Sequence, residues 1–322
     1  MSAGNAIVVN DLTKKYSGNV ALNRVSFSIK SGSVVGLIGP NGAGKSSILK
    51  ILAGLIPGTS GDVLINGVSA ASNPARAKKY ISFMPENNPL PEHMRVGEYL
   101  RFRAELKGIP VRKIRASAEK VMRQCDLYYE ARYRMIKTLS KGFRQRVGIA
   151  DAMLNNSEIV ILDEPTIGLD THQTLGVRKI IGANKNTRTI LISSHILSEL
   201  ETVCDHFIII NHGNIVAAGS MDDLTSGMCG KDSFCAKVRG GEDEIRKIFE
   251  AYGGQITALE SLPNGEHAIK FSISDENYRA LLAGIAAAMD LFLTKIGRED
   301  PSLEQIFLHA TKRCRDLDDG GE

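Results

Sequence analysis

The sequence has few of the features that mark disulfide-stabilised, zinc-binding or membrane-spanning chains. Its 322 residues include five cysteines and no CxxC pair, which favours a reducing compartment over a disulfide framework or a zinc site. No apolar run approaches the roughly 18 residues that a spanning helix needs, and the segment 281–289 is short and followed by Asp290. The N-terminal segment 1–10 lacks the charged and apolar regions of a secretory signal. We therefore expect a soluble chain.

The chain also lacks a strong charge of either sign. Its formal net charge is only +4, whereas a nucleic-acid-binding domain is markedly basic on one face. With 43% hydrophobic and 24% charged residues, the composition is that of an ordinary globular protein. The length allows one large domain and a small one.

Residues 39–46, Gly-Pro-Asn-Gly-Ala-Gly-Lys-Ser, match the phosphate-loop pattern of two glycines with four residues between them, followed by Lys and Ser. A strand is predicted over 33–38 and a helix over 46–55, so the loop opens a helix N-terminus. Backbone NH groups of such a loop wrap a phosphate, the Lys45 ammonium reaches the β and γ phosphates, and the Ser46 hydroxyl can ligate magnesium. The predicted binding residues of the loop are Asn41, Gly42, Ala43, Gly44, Lys45, Ser46 and Ser47.

A second motif, residues 159–165, has four apolar residues followed by Asp163, Glu164 and a proline. A strand that is apolar on both faces is predicted to be a central parallel strand, whose carboxyl end lies beside the phosphate loop in doubly wound folds. Asp163 is then placed to hold magnesium through the coordination shell of the ion, and Glu164 is placed to orient or deprotonate water. In isolation, the two carboxylates could instead cap the next helix; the phosphate loop favours the catalytic interpretation.

Three other positions each allow two interpretations from the residues alone. Tyr16 could stack on a base, but an aromatic at a strand end is more often a packed surface tyrosine. His195 follows the predicted strand 189–194 and could contact a γ-phosphate or make a local bond at a helix start. Ser140 and Gly142 form an anion-binding arrangement at a helix start, or simply an N-cap.

The remaining pattern predicts the domain organisation. A large domain is predicted over residues 5–220, with a helical lobe over about 88–150. A glycine-containing linker over 221–232 leads to a small α+β domain over 233–312, and residues 313–322 are predicted to be a frayed tail.

Taken in chain order, these motifs resemble those of the ATP-binding subunits of ABC transporters, over about residues 5–220. The family's motifs have these counterparts here: Tyr16 for the adenine-stacking aromatic, 39–46 for Walker A, 139–146 for the signature motif, 159–164 for Walker B with its catalytic glutamate, 168–170 with Asp170 for the D-loop, and His195 for the switch histidine.

The resemblance implies an α/β fold: a P-loop NTPase cassette with a RecA-like parallel sheet core, an antiparallel β subdomain and a helical subdomain, followed here by the small α+β C-terminal domain. It also implies that the chain binds ATP and Mg²⁺. Its implied catalytic residues are Glu164 and His195, and its implied metal ligands are Ser46, Asp163 and Glu86. Nucleotide contacts are further implied for Tyr16, Glu86, Ser140, Gly142 and Asp170.

Two departures from the family pattern stand out. Glu86 occupies the position of the usual glutamine; a carboxylate still offers an oxygen but lacks the amide donor and adds negative charge beside the nucleotide. In the signature motif, Lys141 and Phe143 replace the glycine and glutamine of Leu-Ser-Gly-Gly-Gln. Both variants resemble the ATPases of ABC-2 type exporters, including gliding-motility ATPases.

The resemblance further implies how the chain works. Two copies face each other head to tail, so that Ser140 and Gly142 of one copy close over ATP held by Lys45 of the other. Hydrolysis powers a separate transmembrane permease, and the chain is peripheral on the cytoplasmic face of the membrane. No nucleic-acid partner is expected. Two alternatives stay open: a soluble ABC ATPase that acts on ribosomes or DNA, and a non-hydrolysing nucleotide sensor, which would be expected to lose Glu164 or His195.

Overall fold

The computed structural model describes residues 4–155, 157–228, 233–287, 291–298 and 301–318. Contacts divide the chain into two compact units, one formed by Met1–Met221 with Ala310–Glu322 and the other by Asp222–His309. No helix within the described ranges is long and apolar enough to cross a membrane.

The first unit alternates strands and helices along most of its length. Its elements are, in chain order, β1 (Asn5–Tyr16), β2 (Asn19–Lys30), β3 (Val34–Ile38), α1 (Lys45–Leu52), β4 (Ser60–Ile65), β5 (Val68–Ser69), α2 (Pro74–Lys78), β6 (Ile81–Met84), α3 (Val96–Leu106), α4 (Val111–Gln124), α5 (Lys141–Met153), β7 (Ile159–Asp163), α6 (Thr171–Ala183), β8 (Thr189–Ser193), α7 (Leu197–Glu201), β9 (His206–Asn211) and β10 (Asn214–Gly219).

A four-stranded antiparallel sheet forms one layer of this unit, in the order β2-β1-β4-β5. The strand-like alternation over residues 6–31 predicts a hairpin, and the pairing of β1 with β2 confirms it. The Asn66-Gly67 pair makes the tight turn between β4 and β5, with φ of 47° and 74°, as this dipeptide favours.

The six-stranded sheet, in the order β10-β9-β3-β8-β7-β6, positions the candidate site. Its strands are parallel except for β10, which pairs antiparallel with β9. Every residue of β3, β7 and β8 is buried, which confirms the prediction of central strands that are apolar on both faces. The loops after these three strands therefore meet at one edge of the sheet.

Helix α1 holds the phosphate loop against both sheets. Ile48 and Leu49 are fully buried in a hydrophobic cluster that also contains Ile7 of β1 and Ile161 of β7. Burial of each such side chain contributes about 1.5–3 kcal/mol. The loop is thus anchored to a helix that cannot shift without opening the core.

The helical lobe contains α3, α4 and α5. Helix α4 ends at Gln124, because Asp126 adopts a left-handed φ of 54°. Helix α5 begins at Lys141, because the Ser140 hydroxyl accepts a bond from the Phe143 NH and caps the helix there.

The second unit is a small α+β fold. Its elements are α8 (Met221–Met228), β11 (Ser233–Arg239), α9 (Glu242–Ala251), β12 (Gln255–Leu262), β13 (Glu266–Ser272), α10 (Asp275–Ala287) and β14 (Phe292–Arg298), and α11 (Leu303–Asp318) begins within it. The sheet order is β12-β13-β11-β14, and every pairing is antiparallel. This split β-α-β-β-α-β arrangement has a core that includes Phe234, Phe249 and Phe271.

Two segments predicted to be irregular contain helix. Part of the predicted linker forms α8, since Asp222 and Asp223 lie in its first turn and favour a helix N-terminus; residues 229–232 lie outside the described residues. Helix α11 continues through the predicted tail to Asp318, and residues 319–322 lie outside the described residues. We propose that the domain boundaries follow the predicted ranges of 5–220 and 233–312.

Candidate functional site

The phosphate loop depends on glycine for two different reasons. A Cβ on Gly39 would lie 2.4 Å from the Ile210 carbonyl oxygen, so no larger residue fits there. Gly42 and Gly44 adopt φ values of 82° and 109°, which side-chain-bearing residues rarely adopt. A Cβ on Gly42 would meet no atom within 4 Å, so this part of the loop borders open space. The loop is packed on one side and leaves its other side free for an anion.

Lys45 is a buried cation at the start of α1, only 8% exposed. Its Nζ donates to the carbonyl oxygens of Gly39 at 2.6 Å and Pro40 at 3.1 Å. Burial lowers the pKa of Lys45 below its ordinary value, while Glu164 and Asp163 oppose that shift. A partly desolvated ammonium that bonds only to carbonyl oxygens is suited to receive the charge of a phosphate group.

Ser193, at the carboxyl end of β8, joins the two acidic residues that follow β7. Its hydroxyl donates to Asp163 Oδ1 at 2.6 Å and accepts a bond from the Glu164 NH at 3.0 Å. Burial raises the pKa of the Asp163 carboxyl, the bond from Ser193 opposes that shift, and the charge of Glu86 adds to it. The sequence interpretation did not include Ser193. The feature that could have indicated it is a hydroxyl residue that pairs in register with Asp163 on the neighbouring strand.

His195 and Glu164 form a close polar contact within the site. His195 Nδ1 lies 2.7 Å from Glu164 Oε2, and the Glu164 side chain is 11% exposed. Glu164 has a left-handed φ of 49°, which costs on the order of 1–3 kcal/mol for a non-glycine residue. This strained backbone directs the carboxylate to the histidine and to the cavity.

Lys45, Asp163, Glu164 and His195 line one cavity of about 380 Å³. Of the predicted site residues, the cavity brings together Asn41, Gly42, Gly44, Lys45, Ser46, Ser47, Glu86, Asp163, Glu164 and His195. Pro40 of the predicted loop also lines the cavity, and sequence reasoning missed Ala21 of β2 and Ile167, whose apolar side chains carry no chemical signal. Ala43 is instead buried in the core.

Tyr16 lies at the end of β1, next to the loop helix but not among the residues that line the cavity. Its hydroxyl is 3.5 Å from Ser47 Oγ, and its ring is 44% exposed with the Lys14 ammonium 4.8 Å from the centroid. An exposed ring at this position is available for stacking.

Ser140, Gly142 and Asp170 also lie outside the cavity lining. Ser140 caps α5, and the Asp170 carboxylate caps α6 by accepting a bond from the Gln173 NH at 2.8 Å. A Cβ on Gly142 would lie 2.6 Å from Gln173 Oε1, so the starts of α5 and α6 pack together. In a single chain Ser140 and Asp170 are exposed at these two helix starts, and Gly142 is buried against Gln173.

The donor set of the cavity fits magnesium and a polyphosphate. Ser46, Asp163 and Glu86 offer a hydroxyl and two carboxylates, which are the hard oxygen ligands that Mg²⁺ takes. The glycine loop and Lys45 supply the anion-binding side.

The parallel sheet, the glycine loop at the end of β3 and the carboxylates at the end of β7 define a P-loop nucleotide-binding protein. Residues 22–167 match the family model described as "ABC transporter". The chain is 33% identical over 250 residues to an uncharacterised ABC transporter ATP-binding protein of Nostoc sp., covering 75% of this chain and 73% of that one. It belongs to the ATP-binding proteins of the ABC transporter family, as the motif resemblance predicts.

Two further comparisons agree with this assignment. The chain is 28% identical over 313 residues to Nod factor export ATP-binding protein I of Rhizobium etli, covering 96% of this chain and 94% of that one. A solved ATP-binding subunit of an ABC transporter matches with a TM-score of 0.62 and 31% identity, over 70% of this chain and 95% of that one. The predicted fold class is confirmed, and the chain is an ATP-binding ATPase of this family.

Proposed function

We propose that the chain hydrolyses ATP to power a separate membrane permease, as the ATP-binding subunit of an ABC-2 type exporter. The observation that carries the proposal is the single cavity in which Lys45, Asp163, Glu164 and His195 converge at the carboxyl ends of three central strands. The name of the Rhizobium etli relative, an export ATP-binding protein, supports the direction of transport.

The roles of the cavity residues follow from their positions. Lys45 and the loop NH groups bind the β and γ phosphates, and Glu164 orients or deprotonates the attacking water. His195 holds the Glu164 carboxylate through the 2.7 Å contact. Ser46, Asp163 and Glu86 hold Mg²⁺, which neutralises phosphate charge when bound. Tyr16 offers its exposed ring to the adenine.

A second copy of the chain completes the site in this proposal. Ser140, Gly142 and Asp170 lie at helix N-termini, where free NH groups and the helix dipole favour anions, yet they do not line the chain's own cavity. Two copies arranged head to tail bring this surface of one chain over the phosphates bound by the other. ATP then lies between the copies, and hydrolysis releases them.

The permease contact in this proposal lies on the helical lobe, around residues 89–133. The lobe carries the start of α5 and with it Ser140, so a movement of the lobe moves the surface that closes on ATP. Through this contact the chain is held at the cytoplasmic face of the membrane, with no nucleic-acid partner.

The test uses tagged Glu164→Gln protein with ATP in detergent-solubilised native membranes, followed by mass spectrometry. The variant retains ATP binding through Lys45 but loses the catalytic carboxylate, so it is expected to trap the closed complex and recover a polytopic membrane protein. Lys45→Ala, which loses the phosphate contact, is the control and is expected to recover none.

Three other experimental results would each change the proposal. Ribosomal or chromosomal partners, with ATP binding confirmed, would replace the transporter role by that of a soluble ATPase. Wild-type phosphate release no faster than that of Lys45→Ala would contradict hydrolysis and indicate a nucleotide sensor. Undiminished turnover by Glu164→Gln would remove Glu164 from its role.

A further inference from the structure

The sheet of the second unit has one face covered by helices and one face open. On β11, Phe234, Ala236 and Val238 are buried in a core shared with residues of α9 and α10. The alternate residues Lys237 and Arg239 point to the other face and are exposed. We call that other face the open sheet face.

The open sheet face concentrates cations in direct opposition. Lys237 of β11 pairs in register with Lys295 of β14, and both are exposed. Neither lysine forms a salt bridge within the described residues, whereas Arg239 Nη2 lies 3.4 Å from Glu266 Oε1. Like charges directly opposite each other on a sheet are destabilising. The fold therefore maintains a repulsive pair on the face that its own helices leave uncovered.

The rest of this unit does not share that charge. Over residues 222–309 acidic residues outnumber basic ones, and the first turn of α9 alone contains Glu242, Asp243 and Glu244. Because α9 covers the opposite face of the sheet, this part of the molecule is acidic on its helical side, whereas on the open sheet face Lys237, Arg239, Lys270 and Lys295 outnumber Glu260 and Glu266. Such a separation of charge orients the unit towards an anionic surface.

The open sheet face is also flat, with an aromatic residue at its margin. Ala268 lies opposite Lys237 on β13, and Gly297 lies two residues from Lys295 on β14, so small residues flank the lysine pair. Phe292, opposite Arg239 at the start of β14, is 67% exposed. Lysines beside an exposed aromatic ring are the combination found at membrane interfaces.

Two other occupants fit this surface less well. Single-stranded nucleic acid stacks on aromatic residues of central strands, but on this face β11 and β13 present Cys235, Lys237, Ala268 and Lys270. A second copy packed face to face would bring the Lys237 pairs of both chains together. A flat anionic surface needs no aromatic residues on the central strands and brings no further lysines to this face.

We propose that the open sheet face binds the anionic phospholipid surface of the membrane, through Lys237 and Lys295 with Phe292 at the margin. The proposal rests on the proposed function in one respect, namely that a permease brings the chain close to a bilayer. Each lysine then interacts with the negative surface potential of the leaflet, and the repulsion between the two is relieved by lipid phosphates.

The test is flotation of the purified full-length chain with vesicles made of equal parts phosphatidylglycerol and phosphatidylcholine, and with phosphatidylcholine alone. Binding is expected only to the anionic vesicles and is expected to weaken as salt is added. The double variant Lys237→Glu/Lys295→Glu should bind at least about tenfold more weakly. The matched control, Lys247→Glu/Arg279→Glu, makes the same change in charge on exposed residues of α9 and α10 and should bind as the wild type does.

ATPase activity without vesicles serves as the second measurement, since neither pair lies in the nucleotide site. Normal turnover of both double variants shows that the nucleotide-binding unit is folded, and circular dichroism spectra identical to that of the wild type show the same for the second unit. Equal binding to both vesicle types, or unchanged binding of the Lys237/Lys295 variant, would overturn the proposal. So would binding of polyglutamate or single-stranded RNA by the open sheet face without vesicle binding. Failure of the proposed function would be seen in a different measurement, because the wild type would then hydrolyse ATP no faster than the Lys45→Ala variant.

Discussion

His195 Nδ1 lies 2.7 Å from Glu164 Oε2, so the end of β8 holds the carboxylate that follows β7. His195→Ala removes this contact and leaves Lys45 and the phosphate loop intact. We expect kcat for ATP hydrolysis to fall by roughly 10²-fold with little change in KM, as for loss of a group that positions a general base. His93→Ala, an exposed histidine outside the cavity, should have no effect. A rise in KM with unchanged kcat would place His195 in ATP binding instead.

The buried carboxyl of Asp163 gives a prediction on stability. Its pKa is raised by burial, so the native chain holds this proton more tightly than the unfolded chain, and the ionised carboxylate destabilises the native state. That cost is absent at pH below the ordinary aspartate range and grows as pH rises through the raised pKa. Asn can still accept the Ser193 bond without the charge.

Asp163→Asn is therefore expected to raise the Tm of the nucleotide-free chain at neutral pH by about 2–4 °C, while ATPase activity is lost. The gain should shrink as the pH is lowered towards the ordinary aspartate range. Thermal unfolding followed by circular dichroism at several pH values measures both. An equal change in Tm at every pH would show that the charge of Asp163 is not its source.

Glu86 lines the cavity with Asp163 and Glu164, at the position where the motif resemblance leads us to expect a glutamine. Its charge contributes to the raised pKa of Asp163 and adds to the repulsion that an incoming polyphosphate meets. Glu86→Gln is expected to lower the Kd for ATP without magnesium by about three- to tenfold. Equilibrium binding measures it, with the exposed Glu201→Gln as control. Weaker binding would show that the Glu86 carboxylate contributes a favourable contact.

The sequence predicted those parts of the site whose chemistry is local. The glycine loop, Lys45 and the carboxylates after β7 follow from residue type and spacing, and the cavity contains them. Ser193 escaped prediction because its role depends on which strand lies beside β7, and strand order is a property of the tertiary fold. The linker was predicted from Gly227 and Gly230, yet acidic residues in the first turn and tertiary packing allow the helix Met221–Met228.

The backbone strain at Glu164 could not be predicted from the sequence either. Nothing in residues 159–165 signals that Glu164 adopts a left-handed φ, because the backbone there is set by the NH bond to Ser193 and by the contact with His195. The register of the open sheet face likewise needed the structure, since Lys237 and Lys295 are opposite each other only through the pairing of β11 with β14.

A buried charge cluster ties α3 to α5. Asp151 accepts a bond from the Tyr99 hydroxyl at 3.2 Å and from Arg103 Nε at 3.0 Å, and Lys107 Nζ lies 3.2 Å from its Oδ1. Asp151→Asn leaves Arg103 and Lys107 without their counter-charge. Allowing for the partial exposure of Arg103, we expect the free energy of unfolding to fall by about 2–3 kcal/mol. Glu105→Gln, an exposed change on α3, should cost almost nothing.

The pH dependence of this loss identifies its cause. Burial lowers the pKa of Lys107 and Asp151 opposes the shift, so without Asp151 the charged lysine destabilises the native state more strongly. A lysine with a lowered native pKa holds its proton less tightly than in the unfolded chain, so its cost is greatest at neutral pH and is relieved as pH rises towards the ordinary lysine value. Urea unfolding should therefore show a smaller difference between Asp151→Asn and wild type at alkaline pH. A difference that is constant across this range would assign the loss to the Tyr99 and Arg103 bonds rather than to the charge of Lys107.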